Sequence, residues 1–318
     1  MFVDNPTAWK RRSAPPKDLD AFRERLAELE VRPVSVHASY LVNLAGADPR
    51  FRASSIDVLA SDMAAAAGYG AAMVNVHTGS HRDTTIEEGL RRVAEGVAEV
   101  LARGEGSITA RARPRHVLEN AAGGGDSVGV TIEEHARIAE HAARLGVPDD
   151  RLGFCLDVAH AWGAGIAMDE PESIDAWLED FDRTLGLERL ALIHLNDSRS
   201  ERGSRTDRHE HIGAGQIGEE GFRYLLTHPR LQETPFVLET PGMDDGYDLI
   251  NLQRARALIA GATLSPLPPE AFLFKRRAAA SAPADDDIDR SVARKRGSGR
   301  PHGERCSERN QYSGPKQR

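Results

Sequence analysis

The chain has 318 residues, 40% hydrophobic and 28% charged, enough for one large domain with a sizeable core. Its net charge of −8 argues against broad nucleic-acid binding through a basic face, and its two cysteines cannot form a disulfide framework. No apolar run approaches the roughly 18 residues of a membrane span, and the opening MFVDNPTAWKRR lacks the apolar core of a signal peptide. The expectation is a chain with no membrane partner, placed in a reducing cytoplasm (bacterial cytosol or nucleoid).

In chain order, a weak strand at Met1–Val3 precedes the turn-like Asp4-Asn5-Pro6. Apolar residues spaced by three and four predict a helix over Asp18–Leu29, and the apolar run Val34–Val36 then ends at His37. Helix Ser55–Ala67 leads to strand Met73–Val76 and His77. Helix Thr85–Ala102 follows Asp83-Thr84-Thr85 and carries Glu87 and Glu88 in its first turn; strand Val117–Leu118 then ends at Glu119. Thr131 with Glu134 fits a capping box at the start of helix Thr131–Leu145, and strand Phe154–Leu156 ends at Asp157, three residues before His160. Helix Pro171–Leu185 leads to strand Leu190–Ile193 and His194, after which Asp207 and His209 lie in a polar loop. Helix Glu219–Leu226 precedes the last strand, Phe236–Leu238, and Glu239. Strands alternating with helices predict βα units and a parallel sheet.

Five histidines and four carboxylates thus follow the strands or lie just beyond them. Singly, each has an ordinary reading. A histidine on an apolar strand is usually a core or surface residue, Asp157 to His160 is a capped turn, and Asp207-Arg208-His209 is a polar loop. A parallel α/β barrel gathers all of them at its C-terminal pole. So many imidazoles and carboxylates need positive charge to hold them there, and a polynuclear metal site supplies it. Cys155 lies inside a strand-like run and reads as a small core residue, with a nucleophile as the other reading.

The flanking residues carry a resemblance. His37-Ala38-Ser39-Tyr40-Leu41-Val42-Asn43, Asn75-Val76-His77-Thr78-Gly79-Ser80-His81, Glu119-Asn120 with Gly123-Gly124-Gly125, and Cys155-Leu156-Asp157-Val158-Ala159-His160-Ala161-Trp162 resemble blocks of the endonuclease IV family of apurinic/apyrimidinic endonucleases. So do His194-Leu195-Asn196-Asp197-Ser198, Gly203-Ser204-Arg205-Thr206-Asp207-Arg208-His209, Gly213-Ala214-Gly215-Gln216-Ile217-Gly218 and Leu238-Glu239-Thr240-Pro241. The resemblance implies a (β/α)₈ TIM barrel with three zinc ions. His37 and His77 would hold one zinc, bridged by Glu119 to a second on Asp157, His194 and Glu239; His160, Asp207 and His209 would hold the third. Imidazole and carboxylate donors suit zinc, and manganese is tolerable at one oxygen-rich position. The implied reaction is hydrolysis of double-stranded DNA 5′ of an abasic site, leaving a 3′-hydroxyl, with 3′-end trimming as a further activity. Glu119, Asp157 and Glu239 are the carboxylates nearest the chemistry. Tyr40 and Leu41 match the residues that wedge into the gap left by the missing base, and Asn43 and Arg205 are further DNA contacts. A monomer is expected.

Three features depart from the family pattern. The first βα unit is absent, which predicts an open seam in the barrel and a poorly soluble or impaired chain. Thr7 stands where relatives carry a basic or polar DNA contact, and His77-Thr78 replaces the commoner His-Pro. Residues 1–274 are expected to form the barrel. From Lys275 onward 12 Lys and Arg face 6 Asp and Glu, leaving 29 basic against 43 acidic residues in the body, a balance of −14. That tail, 275–318, has too few large apolar residues to fold and is expected to be disordered. The competing readings are a metal-dependent sugar isomerase or epimerase on a related barrel, which would need a catalytic Lys or Glu pair, and a shortened inactive homologue.

Overall fold

The structure is a computed structural model that describes residues 1–105 and 113–273; the expected basic tail lies outside the described residues. Six strands form one parallel sheet: β1 (Ser35–His37), β2 (Met73–His77), β3 (Arg115–Glu119), β4 (Leu152–Asp157), β5 (Leu190–His194) and β8 (Phe236–Val237). They lie in chain order, each bonded to the next, so every crossover is a βα unit. β6 (Asp197–Ser198) and β7 (His209–Glu210) make a separate short hairpin. All of β4 and β5 is buried, which is why these strands read as unbroken apolar runs rather than alternating ones.

The expected strand at Met1–Val3 is reduced to one bridge. The Met1 ammonium donates to the Ser35 carbonyl at 3.1 Å, and the His37 N–H donates to the Met1 carbonyl at 2.8 Å. Within the described residues the curled sheet is open, with Met1 at one edge and β8 at the other.

The helices are α1 (Leu19–Glu28), α2 (Pro49–Tyr69), α3 (Ile86–Glu105), α4 (Ile132–Arg144), α5 (Val158–Gly163), α6 (Pro171–Leu185), α7 (Gly218–Thr227) and α8 (Tyr247–Ile259). α2 starts well before the expected Ser55. The Asp48 side chain accepts from the Arg50 and Phe51 N–H groups, and Pro49 takes the first turn, where it needs no donor. Thr85 and Glu88 form a reciprocal capping box on α3. At α4 the box is only half made: the Thr131 hydroxyl accepts from the Glu134 N–H, while the Glu134 carboxylate takes the Gly129 and Val130 N–H groups.

The main core lies between the sheet and its helices, and a smaller apolar layer of Met73, Val117, Cys155, Ala191 and Leu192 lines the barrel interior. No helix among the described residues is long and apolar enough to cross a membrane.

Candidate metal centre

Strand periodicity and register deliver the first donors. Side chains two apart share a face, so His77, Glu119, Asp157 and His194 continue the interior faces of Asn75, Val117, Cys155 and Leu192. Pairing sets His77 beside Glu119 and Asp157 beside His194. The second match depends on a bulge: Phe154 pairs with Leu190 but Cys155 with Leu192, so Ala191 is skipped and His194 advances to the level of Asp157.

The remaining donors come from turns. Asp157 caps α5, its Oδ1 accepting the His160 N–H at 2.8 Å, which brings His160 back over the strand end. The capped turn of this motif is formed, and it leaves Asp157 and His160 side by side as candidate donors. Asp207 and His209 arrive on the β6–β7 hairpin, in which Ser198 pairs with His209. Its loop is stitched to α5: the Trp162 ring N–H donates to the Ser200 carbonyl, and the Gly203 and Arg205 N–H groups donate to the Trp162 and Gly163 carbonyls. Gly163 suits this close approach, because a Cβ would stand 3.1 Å from the Thr206 carbonyl oxygen and press the two segments apart by a few tenths of an ångström.

All nine candidate donors converge. Glu119 is the hub, 1% exposed. Its Oε2 lies 3.5 Å from Nε2 of both His37 and His77, and its Oε1 lies 3.3 Å from His194 Nδ1 and 3.2 Å from His160 Nδ1. His194 Nδ1 is also 3.3 Å from Glu239 Oε2 and 3.7 Å from Asp157 Oδ2. Asp207 spans Nε2 of His160 at 3.3 Å and of His209 at 3.2 Å. Donor atoms lie mutually within 4.8 Å in His37–His77–Glu119, in Glu119–Asp157–His194–Glu239 and in Asp157–His160–His209. Asp207 stands against the last group rather than inside its tightest set.

The imidazoles are pre-aimed. Nδ1 of His37, His160 and His209 lies 2.7, 2.9 and 3.0 Å from the carbonyls of Ala38, Asn120 and Glu239. Donation to those carbonyls leaves each Nε2 lone pair free for a cation. Three asparagines, not singled out by the sequence as site residues, hold the carboxylates. Asn75 donates to Glu119 Oε2. Asn120 accepts the Asp157 N–H at 2.6 Å and donates to its carbonyl at 3.2 Å. Asn196 donates to Asp157 Oδ2 at 2.7 Å and accepts the Glu239 N–H at 2.8 Å. Their signal in the sequence was an asparagine one or two residues from a candidate donor.

Burial alone would raise the Glu119 carboxyl, but the surrounding imidazoles, His194 foremost, hold it well below the carboxylate range. Burial likewise opposes charge on His209, yet Asp207 and Asp157 push it up to about 9. His160, beside Asp157 and Asp207, and His194, beside Cys155 and Glu119, are also raised against the effect of burial. Burial pushes the Cys155 thiol up to about 12, keeping it neutral. The cluster fits a metal: Nε2 of His37 and His209, Nδ1 of His194 and Oε1 of Glu119 are buried with no hydrogen-bond partner. Each such orphan costs about 1–3 kcal/mol, and a cation satisfies nitrogen and carboxylate donors together.

Tyr40 is 56% exposed at the mouth, its ring 5.4 Å from His37 and supported edge-on by Phe2 at 5.1 Å. Leu41 beside it is half-buried, and Arg205 is exposed with a left-handed backbone, φ 55°. Asn43 is engaged within its own loop. Its Oδ1 accepts the Gly46 and Ser80 N–H groups and its Nδ2 donates to the Ser80 carbonyl, which makes it a brace of the loop rather than a free contact. Thr78 donates to the Val128 carbonyl, a bond that proline could not make.

Residues 1–262 match the model of the xylose isomerase-like TIM barrel family. A probable endonuclease 4 of Chloroflexus aurantiacus is 37% identical over 263 residues, 82% of this chain and 89% of that relative. One from Solibacter usitatus is 40% identical over 275 residues, covering 84% and 89%. The crystal structure of endonuclease IV from Thermus thermophilus superposes with a TM-score of 0.69 at 38% identity, covering 82% of this chain and 88% of that one.

Proposed function

The chain belongs to the endonuclease IV family of apurinic/apyrimidinic endonucleases on the xylose isomerase-like TIM barrel, and from that membership we propose that it hydrolyses the phosphodiester 5′ of abasic sites in double-stranded DNA with three zinc ions. The observation that carries this reading is the convergence of eight donors, with Asp207 against two of them, around orphaned nitrogen and oxygen atoms. His37, His77 and Glu119 would hold one ion, Glu119, Asp157, His194 and Glu239 a second, and His160, Asp207 and His209 the third. Such a centre supplies Lewis-acid stabilisation of phosphoryl charge and acidifies water toward neutral pH.

The protein's own groups do the rest. Glu119, shared between positions, is too weak a base to take a proton and instead orients the donors around it. The asparagines fix the carboxylates before substrate arrives, which is preorganisation rather than induced order. Selectivity falls to the rim: Tyr40 and Leu41 enter the space of the absent base, where unstacking is cheap. Arg205 offers charge to the DNA backbone.

The test is cleavage of a duplex bearing one tetrahydrofuran residue by the zinc-loaded protein. The expected product carries a 3′-hydroxyl that a polymerase extends. Glu239→Gln should abolish cleavage with the fold retained. Interconversion of ketoses without strand cleavage would instead establish the isomerase reading.

A further inference from the structure

Beneath the candidate donors, the interior layer of Met73, Val117 and Leu192 is interrupted by a thiol, that of Cys155. Strand periodicity aims Cys155 the same way as Asp157, and the β3–β4 register sets it beside Glu119. Its Sγ, a ring nitrogen of His194 and a carboxylate oxygen of Glu119 lie mutually within 4.8 Å. A second observation points to a ligand there. His194 Nδ1 and Glu119 Oε1, on side chains 2% and 0% exposed, have no hydrogen-bond partner.

We infer that Cys155, His194 and Glu119 form a sulfur-containing coordination site for a soft divalent cation such as Cd²⁺, overlapping the zinc centre and built one side-chain layer deeper. Thiolate favours soft ions and carboxylate oxygen favours hard ones. His194 and Glu119 belong to both arrangements, so an ion on Cys155 withdraws them from Asp157 and Glu239, and the softness of the ion selects the arrangement. Coordination forms a sulfur–cadmium bond, breaks the S–H bond and releases one proton to solvent. The inference rests on this pole being a metal centre and is independent of DNA cleavage.

The test uses the full chain with Cys306→Ser, in which Cys155 is the remaining thiol. Titrating Cd²⁺ alone into metal-free protein should raise an ultraviolet sulfur-to-metal charge-transfer band with the amplitude of a single thiolate. Adding Cys155→Ser, or Cys155→Ala should serine disturb the interior, should abolish the band while zinc uptake stays at its Cys306→Ser level. A Cys306→Ser protein without the band overturns the inference, as does a band that survives removal of Cys155. Failure of zinc uptake in the Cys306→Ser protein would overturn the metal-centre reading instead.

Discussion

At the scale of single residues, the candidate donors stood out because chemistry restricts which side chains can hold a metal, whereas their supports did not. An asparagine beside a ligand looks like any strand-end amide until its partners are seen. Asn120→Ala should therefore leave the fold in place but weaken zinc affinity by about 10–100-fold, since the Asp157 backbone loses both amide contacts. Competition with a chromophoric chelator measures this, and unchanged affinity would reduce Asn120 to packing. Asp62 is a second such support. It accepts the Ser39 N–H at 3.1 Å, beneath Tyr40, and lies 3.4 Å from Arg11. Burial outweighs Arg11 and raises its carboxyl to about 6. A raised acid contributes stability that is full below its unfolded value and lost as pH rises through about 6. Asp62→Asn should thus gain on the parent between pH 4.5 and 7.5, by about 2 kcal/mol at most. Urea midpoints at the two pH values decide it, and a constant difference would mean that the carboxyl is not raised.

At the scale of elements, strands and amphipathic helices were readable, and the two missed helices share a physical cause. α5 has six residues, all buried, and so shows no polar face to alternate with. α8 buries Asn251, Arg254, Ala255 and Leu258, a correct helical stripe written partly in polar residues. Those polar residues have work to do. Asn251 accepts the Ile212 N–H and contacts the His211 ring, whose Nε2 lies 2.9 Å from the Ala271 carbonyl. Arg254 donates to the carbonyls of Ile212 and Ser265. The segment 264–273 is thereby strapped to the residues just beyond the candidate donor His209. Truncation after Leu273 should leave the melting temperature nearly unchanged, whereas truncation after Ala262 should lower it by several degrees, on the order of 1–3 kcal/mol for the orphaned His211 and Arg254 groups. Equal melting temperatures for the two would show that the strap contributes nothing.

At the scale of the whole molecule, sequence pattern gave the parallel sheet and its order, because strands buried on both faces announce themselves. It could not give the bulge that levels His194 with Asp157, since a single skipped residue leaves no trace in apolar spacing. Nor could it show that Met1 bridges β1 by only two backbone bonds. Distant segments meet here: the first residues of the chain pack against the loop that carries Tyr40. Phe2 touches both Tyr40 and His37, and the Pro6 carbonyl accepts from the Tyr40 N–H and the Ser39 hydroxyl.

The position of Glu119 at the hub has a consequence for how the centre fills. One carboxylate serves two of the donor groups, so an ion in either fixes its orientation and lowers the ordering cost of filling the other. Occupancies should consequently be cooperative, with partly loaded molecules scarce between the empty and full states. Zinc release during dialysis against graded chelator should be steeper than a set of independent sites allows, and native mass spectra at the midpoint should be dominated by the two extremes. Glu119→Gln should flatten that transition into separate steps. A parent protein that sheds its ions one by one would mean that the shared carboxylate transmits nothing between them.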